Sequence, residues 1–488
     1  MQEIADLQSA SSMLQWDQET YMPIGASEFR GRQIATLSGL AHEKFTNGEI
    51  ADLVAKLLDG DLNDVSYKRS LLRIQKDLIR KQKFSRNFVE KQAIAISKAY
   101  EKWELARSND SFSPFANQLK TLIELKKEEC ELIGYGEHPY DALVEEFEPG
   151  MRKIKLDQIF SKLLPQLNSL LDQIKKTKYQ PDNQFLFGKF DTDAQWNLGV
   201  KIINIIGYNF KRGRQDLSTH PFTISMSPDD VRVTTRISEN NFQEMLWSCL
   251  HEAGHGIYEQ GLLSKEYGFP GSEAASLGIH ESQSRLWENQ VGRELPFWKG
   301  QYALLKEAFP TQFDSVAVDD FYKGINLVEP SLIRTNADEL TYHFHVYIRY
   351  KLECLLLEDN LQVNDLPDAW NEMYSKHLGI SPKSTIDGVL QDVHWAHGSF
   401  GYFPTYSLGS LYAAQFYAAA KFANPELEKE LEHGKTAQLL QWLSKNIFEK
   451  GRLFDSEEIC EMATGTGLNP DIFIDYLLKK YQTVYNLK

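Results

Sequence analysis

Residues 240–255 read NNFQEMLWSCLHEAGH, and this stretch sets the expectation for both the fold and the chemistry. Apolar residues recur in its first eleven positions at the spacing of one helix face. On such a helix, His251 and His255 lie one turn apart on the same side, so both imidazoles can reach one metal ion. Glu252, next to the first histidine, can take a proton from a water molecule there. The spacing predicts a helix that carries a metal centre.

A catalytic zinc ion usually has three protein ligands, and thermolysin-type sites use two histidines and a glutamate. Glu281 lies 26 residues after His255 and opens a segment, 282–292, that we expect to be helical. A chain reversal through residues 269–271 would pack this second helix against the first. Glu281 is therefore the predicted third ligand. His280 is the alternative, although we expect it to support the site or to face the substrate.

A histidine that binds a metal needs its other ring nitrogen held by a carboxylate or a carbonyl group. Glu288 and Asp338 are both candidates for this support, and the sequence does not choose between them. His343 and His345 are two positions apart and point to different helix faces, so we reject a second metal pair there. We expect one of these two histidines in the core and the other exposed.

The composition excludes several other classes of protein. Lys and Arg total 53 against 68 Asp and Glu, a net charge of −15, which argues against nucleic acid and anionic membranes as partners. The four cysteines show no CxxC spacing and indicate free thiols in a reducing compartment. No secretory signal is visible at the N-terminus. We expect a soluble, cytoplasmic protein.

Helical periodicity dominates the chain, most clearly at residues 63–84, 87–106, 114–134 and 154–175. One exception is 220–238, rich in Thr, Val, Ile and Phe around Ser-Pro-Asp-Asp, which predicts a β-hairpin just before the metal-site helix. The polar stretch 175–193 suggests a division into an N-terminal helical lobe, 1–190, and a C-terminal catalytic lobe, 191–488. Residues 393–420 lack charged side chains, but their glycines and histidines favour a buried loop running into a helix over a membrane span.

Further short motifs place the metal-site pattern in a known context. They are HPF at 220–222, DxRxT at 230–234, HExxH at 251–255, HESQ at 280–283, IRxxAD at 333–338 and GxxQDxHW at 388–395. WDQET at 16–20 and the closing GRLF and ATGTGLNPDIF segments belong to the same set. In these motifs the chain resembles the M32 metallocarboxypeptidases, the carboxypeptidase Taq group, over nearly its whole length as a single peptidase domain, 1–488. The start differs, because members usually carry about one more helix before WDQET.

The resemblance implies a mainly α, two-lobed, saddle-like metallopeptidase with a deep central groove and the small hairpin before the HExxH helix. It implies removal of single C-terminal amino acids from short peptides with broad specificity, and often a homodimer. It also implies one Zn²⁺ per chain, with Co²⁺ effective in several members. The HPF segment, with His220, and the DxRxT segment, with Arg232, would narrow the groove.

Chemistry suggests roles for further residues. A tetrahedral oxyanion needs hydrogen-bond donors, for which His394 is the first candidate and Tyr406 the second, ahead of Tyr402. For each, burial in the core is the alternative.

An exopeptidase must also recognise a free carboxylate, for which arginine is suited. Arg334 is the main candidate and Arg349 the second. They would lie about 22 Å apart on one continuous helix and could not both grip one carboxylate. An ion pair between Arg334 and Asp338 is the structural alternative. Arg232 could bind the substrate backbone or close the groove, or it could be a solvated strand charge.

Two rival functions remain open at this stage. One is an oligopeptidase that cuts internally, which would not need an arginine for the terminal carboxylate. The other is a peptide-binding scaffold without catalysis, although Glu252 and all three predicted ligands are present.

Overall fold

The computed structural model describes residues 1–487, which are mainly α-helical, as the periodicity predicts. The helices before the sheet are α1 Gln2–Thr20, α2 Ser27–Phe45, α3 Gly48–Leu58, α4 Val65–Gln82, α5 Arg86–Ser108, α6 Ser113–Ile133, α7 Tyr140–Phe147, α8 Lys153–Lys176 and α9 Thr192–Ile206. The strands are β1 Gly213–Leu217, β2 Thr223–Ser227 and β3 Asp230–Thr235.

The metal-site helix and the remaining helices follow the sheet. They are α10 Phe242–Gly261, α11 Leu277–Arg285, α12 Leu295–Ala308, α13 Pro310–Phe313, α14 Val318–Gly324, α15 Tyr342–Leu357, α16 Leu366–Leu378, α17 Pro404–Ala423, α18 Leu427–Glu432, α19 Ala437–Asn446, α20 Ser456–Thr464 and α21 Pro470–Tyr485. A π-helical segment, Leu286–Val291, directly continues α11.

The four helices predicted between residues 63 and 175 are confirmed as α4, α5, α6 and α8, each with ends within two residues of the prediction. Local signals explain this agreement. The Ser85 side chain accepts a hydrogen bond from Phe88 N and begins α5, and Pro114 stands in the first turn of α6. Helix α8 buries a continuous apolar stripe made of Leu156, Ile159, Phe160, Leu163, Leu164, Leu167, Leu170, Leu171 and Ile174.

The chain forms two compact units, and each is assembled from three stretches. The first unit contains residues 1–79, 181–325 and 409–469, and the second contains 80–180, 326–408 and the chain from 470 onward. This is not the predicted division at residue 190. Residues 1–79 belong with the sheet because long-range contacts join them to it, for example the hydroxyl of Tyr21, which donates to Asp216.

The predicted hairpin is confirmed, and the sheet has one strand more than expected. Strands β2 and β3 pair antiparallel, with an irregularity between Ser225 and Ser227. Strand β1 lies on the other side of β3 and runs parallel to it. Its sequence, GRQDL, has neither the β-branched residues nor the alternation by which a strand is recognised. Buried Tyr208 lies where this added strand meets β3, because its hydroxyl donates to Val231 O at 2.6 Å and is 3.0 Å from Arg214 O on β1.

Residues 393–403 form a loop that leads into α17, as predicted. Among residues 1–487, no helix is long and apolar enough to cross a membrane. The loop turns at Gly398 and Gly401, with φ values of 70° and 89°, a conformation that favours glycine.

Glu353, on α15, holds this loop from within the second unit. Its side chain is fully buried and accepts hydrogen bonds from Trp395 Nε1 at 2.9 Å, Gly401 N at 3.1 Å and Tyr140 Oη at 2.8 Å. Burial raises the pKa of Glu353 to about 7, although these donors and Arg349 act in the opposite direction. The protonated carboxyl is therefore the form that the fold favours.

We predict that this glutamate makes the free energy of unfolding depend on pH. Its folded pKa lies above the usual 4.5, so its contribution is complete below that value and is lost as the pH rises through about 7. The loss should reach roughly 3 kcal/mol. Denaturant unfolding at about pH 5 and about pH 7 should show a smaller pH difference in Glu353→Gln than in the unmodified protein. Equal pH differences in the two proteins would contradict this assignment.

Candidate metal centre

Helix α10 carries the first two predicted ligands, as expected. The side chain of Asn241 accepts a hydrogen bond from Gln243 N and begins the helix. His251 and His255 lie one turn apart with their ring centroids 4.9 Å from each other. Glu252 is 8% exposed and lies on the side of α10 that faces β2.

Helix α11 supplies Glu281, but the helix begins earlier than predicted. We expected it to start at residue 282, whereas it starts at Leu277 because the Ser276 side chain accepts a hydrogen bond from Ile279 N. Glu281 therefore lies inside a helix rather than ahead of one. This placement fixes its backbone by helical hydrogen bonds and leaves only its side chain to be oriented.

Gly254, in the middle of the HEAGH motif, permits the close approach of the two helices. A Cβ atom at this position would lie 2.6 Å from Ser284 Cα and 2.7 Å from Gln283 O. Both are backbone atoms of α11, so they cannot move aside alone. The motif thus contains its own packing contact, and that contact brings Glu281 beside the histidines.

The three predicted ligands come together. Glu281 Oε2 is 3.7 Å from His251 Nε2 and 3.5 Å from His255 Nε2. The three ligand atoms lie within 4.8 Å of one another, and within residues 1–487 this is the group of histidine and acidic residues that could hold a metal ion. Bonds of about 2.0–2.2 Å from zinc to nitrogen and oxygen would bridge these separations.

The remote nitrogens of both imidazoles are bound, as a metal site requires. His251 Nδ1 donates to Glu288 Oε2 at 2.9 Å, and His255 Nδ1 donates to the carbonyl oxygen of His280 at 3.0 Å. With each Nδ1 proton engaged in this way, the neutral form of each imidazole has its Nε2 lone pair free for a metal ion. The residues fit a divalent ion. Of the two predicted supports, Glu288 performs this role.

His280 is not a ligand in this arrangement, in agreement with the preferred expectation. Its Nε2 pairs with Glu259 Oε1 at 2.9 Å, and its ring stacks on that of His255 with centroids 4.4 Å apart. Its backbone carbonyl and its ring therefore both orient His255.

The charge states also suit a cation. Burial alone would raise the pKa of Glu281, but Arg285 and the two imidazoles hold it well below its usual range. Burial opposes ionisation of Glu288 too, yet Arg285 and His251 lower its pKa to about 2. Burial lowers the pKa of His255 to about 3. Two ionised carboxylates and a neutral imidazole are the forms in which such side chains support and bind a metal.

Glu252 is oriented by the hairpin. Thr223 Oγ1, on β2, donates to Glu252 Oε2 at 2.7 Å and lies 2.9 Å from Glu252 O. Burial raises the pKa of Glu252, whereas His251 and the Thr223 hydroxyl act to lower it. A raised pKa brings a carboxylate closer to the range in which it can accept and return a proton.

The chain is similar to known proteins over nearly its whole length. A model of the family described as carboxypeptidase Taq (M32) metallopeptidase matches residues 1–481. The chain belongs to the carboxypeptidase Taq (M32) family of metallopeptidases. Thermostable carboxypeptidase 1 of Thermus thermophilus is 39% identical over 99% of this chain and 97% of its own length. For carboxypeptidase 1 of Bacillus subtilis, the identity is 38% over 100% and 97%.

Solved structures lead to the same family. The M32 carboxypeptidase from Deinococcus radiodurans R1 superposes with a TM-score of 0.97 at 37% identity, covering 99% of this chain and 98% of that one. Membership of M32 confirms the predicted enzyme class, a metallocarboxypeptidase, and implies a divalent metal. His251, His255 and Glu281 are the residues able to hold it.

The two arginines predicted to bind the substrate carboxylate lie in the second unit and share a carboxylate of the protein itself. Arg334 Nε and Nη2 donate to Asp392 Oδ1 at 3.0 and 2.9 Å, and Arg349 Nε donates to Asp392 Oδ2 at 2.6 Å. The expectation that they could not grip one carboxylate is wrong. Arg334 belongs to a short 3₁₀ turn, Arg334–Asn336, ahead of α15, so the two residues do not share a helix.

Asp338 has neither of the roles considered for it. Its side chain accepts hydrogen bonds from Leu340 N, Thr341 N and Thr341 Oγ1, so it caps the turn that leads into α15. Arg334 pairs with Asp392 instead.

His394 and Tyr406 lie together in the second unit, with His394 Nε2 3.0 Å from Tyr406 Oη. Burial lowers the pKa of His394 to about 3, against the effect of Asp392 and with that of Arg334. The imidazole is therefore neutral. Tyr402 also contacts the imidazole, with ring centroids 5.1 Å apart.

Arg232 is not a solvated strand charge. It forms two hydrogen bonds of 3.0 Å with Asp230, and its guanidinium lies 4.3 Å from the centre of the Trp16 ring. Trp16 belongs to the WDQET motif, so that segment packs beside DxRxT. His220 is exposed in the connection between β1 and β2.

The two histidines rejected as a second metal pair are both fully buried. Nδ1 of His343 lies 3.0 Å from Ser407 Oγ, and that of His345 lies 2.9 Å from Tyr374 Oη. The expectation that one of them is exposed is wrong, because α15 is surrounded within its unit and buries residues on every side.

Sequence reasoning missed two residues at the metal centre. Thr223 follows HPF directly, but only the packing of β2 against α10 shows that its hydroxyl reaches Glu252. Arg285 stands four residues after Glu281 and three before Glu288, and it bonds to both. That i, i+4 and i, i+3 spacing of opposite charges was a usable signal.

We predict that Gly254→Ala weakens metal binding, because the added methyl group would separate α10 from α11. The change should raise the zinc dissociation constant about 10-fold or more and reduce stability by about 1–3 kcal/mol. Gly39→Ala, in α2, is the matched control, since nothing lies within 4 Å of a Cβ atom added at Gly39. Chelator competition and thermal unfolding measure both effects. Equal zinc affinity in the two variants would contradict the packing argument.

Proposed function

We propose that this protein is a carboxypeptidase that removes single C-terminal amino acids from short peptides with broad specificity. The observation that supports it best is the set of His251, His255 and Glu281, in which the two Nε2 atoms lie 3.7 and 3.5 Å from one carboxylate oxygen and each Nδ1 is held by a hydrogen bond.

We propose Zn²⁺ as the ion, one per chain, with Co²⁺ as a possible substitute. Two imidazoles and one carboxylate are a ligand set that zinc accepts readily, and three protein ligands are typical of a catalytic site. When bound, such an ion polarises a carbonyl group and acidifies water.

Glu252 acts as the general base in this proposal. Its carboxylate can accept a proton from the attacking water and pass it to the leaving amine. The hydrogen bond from Thr223 Oγ1 fixes Oε2, which leaves Oε1 for the water. Burial keeps the base away from bulk solvent.

His394 and Tyr406 remain the proposed donors to the oxyanion. Their mutual hydrogen bond supports a coupled pair, in which the neutral imidazole holds the phenol hydroxyl in place. His394 Nδ1 lies 3.9 Å from Asp392 Oδ1, and the guanidinium of Arg334 lies 4.6 Å from the centre of the Tyr406 ring, so the pair adjoins the arginine cluster.

Arg334 remains the proposed partner of the substrate's terminal carboxylate. Its hydrogen bonds to Asp392 and Tyr342 use three of its five N–H groups. Arg349 is completely buried, and its nitrogens donate to Asp392, Gln391, Tyr374 and the carbonyl of His345. We therefore assign Arg349 to holding Asp392 in position, which corrects its proposed contact with substrate.

Arg232 and His220 are proposed to limit the length of the substrate. Arg232 is fixed by Asp230 and Trp16 and so presents a rigid surface. His220 is exposed and available for contact.

Peptides are the proposed partners, and the net charge of −15 argues against nucleic acid. The four cysteines are buried and form no disulfide within residues 1–487, which supports a reducing, cytoplasmic setting. A homodimer is proposed from family membership alone.

We predict that the purified, zinc-loaded protein shortens a peptide with a free C-terminus one residue at a time. Its C-terminally amidated twin should remain intact, because the amide lacks the charge that an arginine recognises. Glu252→Gln should lower the rate at least about 100-fold, the scale of general-base catalysis. A mass-spectrometric time course measures all three.

Other outcomes would favour the rival functions. Internal cuts in both peptides would favour an oligopeptidase, and intact peptides despite full metal occupancy would favour a binding scaffold. Equal rates for Glu252→Gln and the unmodified protein would remove Glu252 from the mechanism.

A further inference from the structure

Arg285 is the side chain that joins the supports of the metal centre. Its Nε donates to Glu281 Oε1 at 2.7 Å, and its Nη1 donates to Glu288 Oε2 at 3.3 Å. That same Glu288 oxygen accepts the hydrogen bond from His251 Nδ1. The guanidinium group of Arg285 thus contacts the predicted ligand Glu281 directly. It contacts the second ligand, His251, through Glu288.

The two oxygens of Glu281 have different surroundings. Oε1 is engaged by Arg285, whereas Oε2 is the atom near both imidazole Nε2 atoms and also accepts a hydrogen bond from Ser284 Oγ at 3.2 Å. The charge-assisted hydrogen bond from Arg285 is the shorter of the two, and it orients Oε1 towards the guanidinium, which leaves Oε2 as the oxygen directed at the imidazoles.

We propose that Arg285 is a positioning residue that makes Glu281 a monodentate ligand. The proposal rests on the ligand set of the proposed function. A bidentate Glu281 would occupy one more place around the ion, which is the place that substrate or water needs. By holding Oε1, Arg285 keeps that place open.

The geometry of the segment supports this role. Arg285 is the last residue of α11, and its side chain is only 13% exposed. Beyond it the chain becomes π-helical through Glu288, and such segments are often found at functional sites. Arg293 Nη2 approaches the other oxygen of Glu288, Oε1, at 3.4 Å. Glu288 therefore has a hydrogen-bond partner on each oxygen, and Arg285 hydrogen-bonds both Glu288 and Glu281.

The test compares Arg285→Met and Arg285→Gln with the unmodified protein, each titrated with Co²⁺. Both variants remove the charge and the guanidinium fork, although glutamine keeps one amide NH2 group. The second variant provides the comparison if the first does not fold. The control is Arg236→Met, which breaks an ion pair with Glu244 whose arginine is 54% exposed. Circular dichroism establishes that each variant is folded.

We expect the Co²⁺ dissociation constant to rise about 10–100-fold in the Arg285 variants and to stay unchanged in the control. Four-coordinate Co²⁺ absorbs visible light more strongly than five- or six-coordinate Co²⁺. The Arg285 variants should therefore show a weaker visible spectrum per bound ion, as Glu281 becomes bidentate. A merely structural role would lower affinity without changing the spectrum of the bound ion.

Two results would overturn the proposal. One is an affinity and a spectrum like those of the unmodified protein. The other is a weaker affinity with the spectrum unchanged, which would mean that Arg285 acts only through its charge. Neither readout involves a peptide, so the proposal can fail while peptide cleavage succeeds, and it can succeed if no peptide is cleaved.

Discussion

The close crossing of α10 and α11 is the constraint on which the metal centre depends. Gly254 provides it from α10, where any side chain would overlap the backbone of Ser284. A second glycine acts on the other side of α11, because a Cβ atom at Gly409 would lie 2.5 Å from Glu281 Cγ. Glu281 is thus held between α10 and α17, and each of these helices has a glycine at the contact, Gly254 and Gly409. Its reach to the histidines follows from backbone packing.

Both units contain buried carboxylates, and in each unit arginine side chains form ion pairs with them. Around the metal centre, Glu281 and Glu288 are matched by Arg285 and Arg293. In the second unit, Asp392 is held by two buried arginines. Unpaired buried charges are costly, so these sets must form together. Their hydrogen bonds fix the side chains that the proposed chemistry needs, before any substrate binds.

How much the sequence predicted depends on whether the signal was local. The HEAGH pair and the helix around it were predicted correctly because both follow from spacing within one segment. Glu288 was one of two possible supports, since the partner of His251 depends on how α11 packs. The early start of α11 was missed because Gly278 has a low helix propensity, which obscured the cap at Ser276. Strand β1 was also missed, because its sequence is polar and its strand conformation depends on pairing with β3, which lies elsewhere in the sequence.

The most direct test is anomalous diffraction from crystals of the zinc-loaded protein. The account predicts one strong peak per chain, bonded to His251 Nε2, His255 Nε2 and Glu281 Oε2, with Glu281 Oε1 still on Arg285. A peak elsewhere, or one ligated through the Nδ1 atom of either histidine, would contradict the account.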